Sequence, residues 1–274
     1  MNKAIKLVIY VLLIVGSIVM LFPFFWMITG AIKTYREITA TPVVWFPRVP
    51  QWHNFYEVLT MKSNPFSLYF VNSVLVAVSN TVFTLITTIL AAFAFSRLEF
   101  SGRDKLFSFL LTTMMIPSQM YLITNFITIT NLHLYDNLIA QILPYTASIF
   151  YIYLLRQFFN QIPEQLYLAA KVDGCSDWKY LWTIMVPNAK SSLVTIGLFN
   201  FIASWNAYLW PIMVTGSVKK RVLSIGLMYF AGEAGTDYQL MMAGATIVVV
   251  PLVIIYLCFQ RYIIQGIARG GLKG

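Results

Sequence analysis

The stretch from Arg156 to Lys190 reads RQFFNQIPEQLYLAAKVDGCSDWKYLWTIMVPNAK and lies between two charge-free runs of the chain. It is not apolar enough to lie in lipid and not loose enough in composition to be a plain linker. Glycine readily adopts the left-handed conformation that ends a helix, so the Asp173-Gly174 pair predicts two short helices. A folded segment of this kind on one face of a membrane protein is typical of a surface that contacts another protein.

The composition indicates an integral membrane protein. Of the 274 residues, 59% are hydrophobic and only 11% are charged, whereas soluble domains average about 25% charged residues. A helix needs about 20 residues to cross a bilayer, and six charge-free stretches reach or approach that length. They lie at about 7–32, 66–96, 106–130, 137–155, 191–214 and 238–260. The sequence therefore predicts an all-α integral membrane protein, a single transmembrane domain over 1–274 with six transmembrane helices, a loop at 156–190 and a tail at 261–274.

The distribution of basic residues predicts the orientation. Lys3 and Lys6 precede the first span, so its amino end should stay in the cytoplasm, and six spans then place both termini there. On this topology most lysine and arginine residues lie in cytoplasmic segments. The high isoelectric point is therefore explained by membrane orientation, and we expect no nucleic-acid binding. Cys175 and Cys258 fall in a loop and in the last span, so no disulfide framework is expected.

Several function classes conflict with the residues present. All ten acidic residues lie in loops on this topology, whereas an ion-driven carrier generally needs a carboxylate inside the membrane. The chain has no GxxxxGK[ST] phosphate loop, so ATP hydrolysis would take place in a separate partner chain. His53 and His133 lie on the outer side, far from either cysteine, so we expect no metal site, no catalytic residues and no cofactor.

Polar side chains within the spans have two readings. The second span carries Asn72, Ser73, Ser79, Asn80, Thr81, Thr84, Thr87 and Thr88. Small and hydroxyl residues often pack membrane helices together, and the same stripe could line a passage for a polar solute. The residues alone leave both readings open. Asn206, near the outer end of the fifth span, would be costly in lipid unless it faced a partner or water.

The first short helix of the 156–190 loop should begin after Pro163, which suits a helix start because its missing N–H is no loss there. Its apolar residues Leu166, Ala169 and Ala170 have the i, i+3, i+4 spacing of one face. Ser176 is placed to cap a second helix, which we expect to end by Pro187. Such a helix could lie on lipid headgroups, but its moderate charge and small residues favour a groove on another protein.

At these residues the sequence resembles a known family. Ala169-Ala170-x-x-Asp173-Gly174, with Pro187 thirteen residues after the glycine, resembles the Glu-Ala-Ala loop of ABC importer membrane subunits. The glutamate usual in that loop is Leu168 here, which removes a polar contact and leaves the pattern of the loop intact.

Three further segments resemble the maltose-type carbohydrate branch of these importers. They are Trp205-Asn206-x-x-Leu209-x-Pro211, Pro251, and the tail Gly266-Ile267-Ala268-Arg269-Gly270-Gly271-Leu272-Lys273-Gly274. The resemblance covers the chain from about Phe22 to Gly274. It implies a type I ABC importer permease architecture, in which the 156–190 loop is a cytoplasmic coupling-helix loop. It also implies a multi-pass protein of a prokaryotic cytoplasmic membrane.

The resemblance implies three protein partners. They are a second homologous permease subunit forming a heterodimer, a dimer of ATP-binding subunits, and an extracytoplasmic solute-binding protein. The implied ATPase-docking residues are Leu166, Ala169, Ala170, Lys171, Asp173 and Gly174. The tail residues implied to reach the ATPase are Arg269, Gly270, Gly271 and Lys273. The candidates for binding-protein contact are Gly232, Glu233 and Gly235, in a loop that could equally be an ordinary flexible connector.

The expected function is that of a permease subunit of an ATP-driven, binding-protein-dependent importer of a sugar or oligosaccharide. The candidates for the solute passage are Asn80, Asn125, Tyr145, Asn206 and Tyr208, because amides and aromatic rings suit sugar hydroxyls and ring faces. One alternative is the same importer class carrying a polyol or a glycerol phosphate ester. Clusters of basic residues would favour a phosphorylated cargo, and the spans have none. Another alternative is a secondary carrier that works alone.

Overall fold

The computed structural model describes the backbone of residues 3–232 and 235–271 and the side chains of residues 5–231 and 236–262. The helices are α1 (Lys3–Ala31), α2 (Tyr35–Ile38), α3 (His53–Thr60), α4 (Phe66–Arg97), α5 (Arg103–Thr113), α6 (Leu122–Asn131), α7 (Leu138–Ile142), α8 (Ile149–Asn160), α9 (Glu164–Val172), α10 (Asp177–Tyr180), α11 (Val186–Asn188), α12 (Lys190–Trp205), α13 (Leu209–Val214), α14 (Leu223–Met228) and α15 (Tyr238–Gly271). Two short strands, β1 (Ala231–Gly232) and β2 (Gly235–Thr236), pair antiparallel. The described chain is almost entirely helical, as the sequence predicts.

The predicted spans correspond to continuous helices in three places and to broken helices elsewhere. Within the described residues, the helices long and apolar enough to cross a membrane are Ile5–Ala31, Phe66–Arg97 and Tyr238–Tyr262. If each of two bent helix pairs is also counted as one span, the number of candidate spans among the described residues rises to five. The two pairs are Arg103–Thr113 with Ser118–Asn131, at 88°, and Leu138–Tyr145 with Ile149–Asn160, at 47°. The stretch predicted at 191–214 is divided between α12 and α13, so the six-span count stays a prediction.

Proline residues accompany both bends. Pro117 follows α5 with φ −58° and ψ 134°, an extended conformation in which the helix cannot continue because proline lacks an N–H donor. Pro144 lies in the 3-10 turn Leu143–Tyr145 before the second bend. Ser148 then caps α8, its Oγ accepting a hydrogen bond from the backbone N–H of Tyr151 at 3.4 Å. The charge-free runs alone predict unbroken spans here, and the prolines are the signal that they are broken.

The chain forms two compact units. One comprises Met1–Phe70 and Ile225–Leu252, and the other comprises Val71–Ser224 and Val253–Gly274. In the first unit, the most apolar window of α1 has no buried residue. Its side chains are therefore available to lipid or to another subunit.

The loop after α1 folds against the carboxyl end of that helix. The Trp45 ring lies 6.1 Å from Phe22 and 6.0 Å from Trp26, and the Phe46 ring lies 5.7 Å from Phe25, as measured between ring centroids. All three pairs have edge-to-face geometry, which aromatic rings prefer. The high aromatic content of this loop is therefore used in packing rather than left in a disordered linker.

In the second unit, one apolar cluster joins helices α4, α8, α9 and α12 to the π turn Leu181–Met185. Its buried members are Ile89, Ala92, Phe93, Leu155, Phe159, Ala170, Tyr180, Leu181, Met185, Ala189 and Ile196. The 156–190 segment is thus part of the core of this unit rather than an appendage to it.

We expect Gly226→Ala to destabilise the first unit. A Cβ at residue 226 would lie 2.5 Å from Cδ2 of Tyr69, and Tyr69 is fully buried, so its ring has no free space to move into. Overpacking of this kind costs about 1–3 kcal/mol, and the midpoint of thermal denaturation in detergent should fall. Gly16→Ala is the matched control, because a Cβ there meets nothing within 4 Å. Equal midpoints for the two variants would contradict this packing.

Candidate docking segment and polar cavity

Helix α9 ends as the sequence predicts. Its last residue is Val172, and Gly174 has φ +73°. The Gly174 N–H donates to Lys171 O at 3.0 Å, and the Cys175 N–H donates to Ala170 O at 2.8 Å. These two bonds are the pattern of a Schellman motif. The left-handed glycine therefore fixes the direction in which the chain leaves α9.

The second short helix is α10, and it begins as predicted. Ser176 caps it, with Oγ accepting a hydrogen bond from the Lys179 N–H at 3.3 Å. It ends at Tyr180, before Pro187, and the π turn and α11 carry the helical path on to Asn188. Pro187 is the second residue of α11, directly after the π turn.

A polar tie joins α9 to α10. Asp177 Oδ1 accepts the Tyr167 hydroxyl at 2.6 Å and lies 2.7 Å from Lys171 Nζ. The bond from Lys171 is the main cause that lowers the pKa of Asp177, with the bond from Tyr167 second. The bond to Asp177 likewise raises the pKa of Lys171.

The pH range of this tie follows from the two pKa directions. A carboxyl group with a lowered pKa stabilises the fold above its unfolded pKa, about 4 for aspartate, and loses that contribution as the pH falls through the folded value. A lysine with a raised pKa stabilises the fold below its unfolded pKa, about 10.4, and loses that contribution as the pH rises through the folded value. The tie is therefore present throughout the neutral range.

One side of α9 is an exposed apolar surface. Leu166, Leu168 and Val172 are 48%, 56% and 88% exposed, and Ala169 is also exposed; these four residues are called the α9 patch below. Ala170 was expected on the same surface but is buried in the core of the second unit. The reason is that packing against the core, which apolar spacing alone does not reveal, decides which side of the helix turns inward.

The sequence prediction missed part of the α9 patch. It did not include Leu168, which stands at the position of the usual glutamate, or Val172, the last residue of the helix. The other expected docking residues have local roles in the fold. Lys171 belongs to the tie, and Asp173 donates its backbone N–H to Ala169 O at 3.0 Å at the end of the helix.

Two arginines hold the start of the segment. Arg97 Nη2 donates to Phe159 O and to Ile162 O, both at 2.7 Å. Arg156 Nε donates to Phe95 O at 3.0 Å. Phe159 O also accepts the Ile162 N–H at 3.1 Å, so Arg97 links the turn that follows α8 to the end of α4. The sequence prediction gave these arginines a role in membrane orientation only. Their position next to the ends of spans could have indicated that they bind carbonyl groups there.

A cavity of about 300 Å³, lined by both polar and apolar side chains, lies in the second unit. Its polar lining side chains are Ser73, Asn80, Ser118, Gln119, Gln141, Asn200 and Ser204, and its aromatic ones are Tyr145, Tyr208 and Trp210. No charged side chain is among the described residues that line it. Residues at breaks between helices supply part of this wall, namely Ser118, Gln119, Tyr145 and Tyr208.

Three of the five predicted passage residues line the cavity, namely Asn80, Tyr145 and Tyr208. Asn125 does not, and lies half-buried in α6. Asn206 does not either, because it caps the end of α12, where its backbone N–H donates to Ile202 O at 3.1 Å. The prediction did not select Gln141 and Asn200, although both are amides within predicted spans.

The polar stripe of α4 contacts neighbouring helices and also reaches the cavity. Thr84 Oγ1 donates to Tyr145 O at 2.8 Å, and Thr87 Oγ1 donates to Thr146 O at 2.7 Å. These threonines supply donors to carbonyl groups at the break between α7 and α8. One turn away, Asn80 lines the cavity instead.

The cavity wall is joined to the segment after α13. Gln141 Nε2 donates to Lys220 O at 3.0 Å and to Thr215 Oγ1 at 3.2 Å. Asn72 Nδ2 donates to Lys219 O at 2.9 Å and to Arg221 O at 2.8 Å. Buried amides of α4 and α7 thus fix the backbone of the basic run in this segment.

The predicted contact loop and tail lie partly outside the described residues. Gly232 and Gly235 are paired backbone positions of β1 and β2, and Glu233 lies outside the described residues. The backbone of Arg269, Gly270 and Gly271 continues α15. Lys273 lies outside the described residues.

The described chain is a helical protein with helices long and apolar enough to cross a membrane. Residues 84–269 match the family described as the binding-protein-dependent transport system inner membrane component. The chain belongs to this family. It is a multi-pass transport subunit of the inner membrane and not an enzyme, and it works with other components of an ABC importer, such as the ATPase and the binding protein.

Two relatives match nearly the whole chain. The arabinooligosaccharides transport system permease protein AraQ of Bacillus subtilis is 30% identical over 260 residues, covering 94% of this chain and 92% of that protein. The sn-glycerol-3-phosphate transport system permease protein UgpE of Yersinia pestis bv. Antiqua (strain Antiqua) is 30% identical over 264 residues, covering 94% of each.

A solved structure shares the fold. It is the crystal structure of a bacterial ABC transporter involved in the import of the acidic polysaccharide alginate, with a TM-score of 0.85 and 24% identity. The match covers 96% of this chain and 98% of that chain. The helical permease architecture expected from the sequence is thereby confirmed.

We expect Arg97→Lys to loosen the start of the docking segment. Both 2.7 Å bonds come from Nη2, and a lysine side chain is shorter than arginine and lacks the rigid guanidinium plane that holds this atom, so both bonds should lengthen. Loss of a hydrogen bond from a charged donor costs about 1.5–3 kcal/mol, and trypsin should cut the 156–190 segment faster. Arg103→Lys is the control, because Arg103 makes a longer bond of 3.3 Å to Leu98 O. Equal cleavage rates in the two variants would argue against the anchoring role.

Proposed function

We propose that this chain is the membrane-spanning permease subunit of an ATP-driven, binding-protein-dependent importer that carries a sugar or oligosaccharide across the cytoplasmic membrane. The observation that carries the proposal is the α9 patch. It is an exposed apolar surface held by a Schellman turn, a polar tie and the core of the second unit. A chain of this family without a phosphate loop of its own needs such a surface to receive mechanical work from an ATPase.

The proposed assembly is a heterodimer with a second homologous permease subunit above two ATP-binding subunits. In it the chain has six spans, at the bounds predicted from the sequence, and both termini are cytoplasmic. Leu166, Leu168, Ala169 and Val172 contact a groove of one ATPase subunit, while Ala170, Lys171, Asp173 and Gly174 hold the helix in position. The tail with Arg269, Gly270, Gly271 and Lys273 reaches the ATPase interface, and the loop with Gly232, Glu233 and Gly235 contacts the binding protein.

The cargo class is supported by one relative and by the cavity. The name of AraQ refers to arabinooligosaccharides, and the uncharged cavity suits a neutral solute. The second candidate is a glycerol phosphate ester, which the name of UgpE favours.

The test is purification of the tagged chain in mild detergent with whatever remains bound to it. We expect a second permease and an ATPase to be recovered, and ATP hydrolysis to be stimulated by a binding protein loaded with a sugar. Recovery of the chain alone, with solute movement driven by an ion gradient, would overturn the proposal.

We expect Gly174→Val to insert normally and to lose most coupling. A left-handed backbone costs a residue with a Cβ about 1–2 kcal/mol, and a β-branched residue resists it most. A Cβ at residue 174 meets nothing within 4 Å, so the effect would come from the backbone alone. Gly174→Asn is the matched control, since asparagine tolerates this conformation. Uptake by Gly174→Val at the level of the control would contradict docking through this turn.

A further inference from the structure

Three consecutive cations, Lys219, Lys220 and Arg221, follow α13 and are called the basic run below. On the six-span topology of the proposed function, this run lies on the outer side of the membrane. Positive charges are normally concentrated in cytoplasmic loops, so the run is placed against the bias that orients the rest of the chain. Membrane orientation therefore does not account for these three residues.

Buried amides hold the backbone of the basic run. Asn72 Nδ2 donates to Lys219 O at 2.9 Å and to Arg221 O at 2.8 Å. Gln141 Nε2 donates to Lys220 O at 3.0 Å. Asn72 and Gln141 are only 5% and 2% exposed. All three carbonyl groups of the run are thus bonded to the interior of the second unit.

Both flanks of the basic run are fixed as well. Before it, Asp136 Oδ1 accepts the N–H groups of Gly216 and Ser217 at 3.0 and 2.9 Å and the Ser217 hydroxyl at 3.0 Å. After it, the Leu223 N–H donates to Ser73 Oγ at 2.8 Å. The backbone of the run is therefore ordered before a partner arrives, so binding costs little further ordering entropy.

The side chains of the basic run have no carboxylate partner in the part of the chain that the structure describes. Lys219 is exposed, Lys220 and Arg221 are half-buried, and none of the three forms an ion pair with a described acid. The backbone N–H of Ser217 is the main cause that lowers the pKa of Asp136, and the charge of Lys220 is the smallest cause. The run therefore presents positive charge that these residues leave largely uncompensated.

The basic run borders the cavity of the second unit. Val222, the next residue of the chain, lines the cavity, and so do Ser73 and Gln141, which hold the run and its flank. A partner that binds the run therefore lies beside the cavity that contains three of the predicted passage residues.

We propose that the basic run is a docking surface for an acidic face of the extracytoplasmic solute-binding protein. The inference rests on the proposed function and deepens it, because it assigns part of this contact to residues other than the loop with Gly232, Glu233 and Gly235. Complementary charges on two surfaces speed their encounter and fix their orientation. The run thus sets where the binding protein lands relative to the cavity.

The rigid backbone favours a protein over lipid headgroups as the occupant. Headgroup phosphates move freely in the plane of the membrane, so flexible lysine side chains on a loose loop would be enough to meet them. A folded protein presents its carboxylates at fixed positions, and matching them requires cations on a fixed backbone. The position beside the cavity points the same way, since a contact with lipid has no need of it.

The test compares two double variants of the complete importer in nanodiscs of neutral phosphatidylcholine. Lys219→Gln with Lys220→Gln removes two charges from the basic run. Arg36→Gln with Lys62→Gln, the matched control, removes two exposed charges from the first predicted outer loop. The backbone carbonyl groups of the run stay in place, and fewer outer cations agree with the positive-inside bias, so folding and insertion should be preserved. The probe is the solute-binding protein that stimulates ATP hydrolysis by the wild-type importer.

We expect the variant of the basic run to need roughly tenfold more binding protein for half-maximal stimulation at low salt, at the lower end of the range for electrostatic steering. The difference from wild type should shrink at about 1 M salt, where the Debye length is only about 3 Å. The maximal rate of ATP hydrolysis should not change, because the run takes no part in coupling. The control variant should stay near wild type at both salt concentrations.

Equal half-maximal concentrations for the two variants would overturn the docking surface. A defect seen only when the nanodiscs contain anionic phosphatidylglycerol would overturn it in favour of a lipid contact. A defect seen only with a negatively charged solute would overturn it in favour of attraction of the cargo, and a lower maximal rate alone would leave the run a structural role. Failure of the proposed function would look different, because no binding protein would then stimulate ATP hydrolysis by the wild-type importer.

Discussion

Carbonyl groups freed by a helix break inside a membrane have to find donors within the protein, because hydrocarbon offers none. Thr84 and Thr87 meet this demand at the break between α7 and α8, where they donate to Tyr145 O and Thr146 O. The bend they permit turns α7 from the course of a straight span. It also sets the ring of Tyr145 and the amide of Gln141 on the cavity wall, so the cavity depends on two hydroxyl groups that never enter it.

The 156–190 segment, which we propose contacts the ATPase, is held in place in a similar way. Its two short helices are fixed at one end by the carbonyl contacts of Arg97 and in the middle by the tie at Asp177. Ala170 anchors its inner side in the apolar cluster of the second unit. A rigid segment of this kind can pass a displacement to the core of the unit, whereas a flexible loop would absorb it. This rigidity is the property that coupling to a separate ATPase requires.

The sequence predicted much of this arrangement and missed the parts that depend on tertiary packing. The end of α9 and the cap at Ser176 could be predicted because glycine and serine impose local geometry. The side of α9 that turns inward could not, because its packing partners come from α4, α8 and α12. The proline at residue 117 indicated a bend, but the third span was predicted from the length of its charge-free run alone and was therefore taken as unbroken. Gln141 and Asn200 were equally visible as amides in spans, and only the cavity distinguished them from Asn125.

The exposure of α1 has a consequence for how this chain changes over evolutionary time. No residue in the most apolar window of α1 is buried within the chain, whereas 33% of the corresponding window of α4 is buried. The choice of side chains in this window is therefore limited only by the need to be apolar and by whatever molecule covers α1. Exchange among leucine, isoleucine, valine and phenylalanine there leaves the packing of the chain itself unchanged, and α1 is free to drift faster than α4.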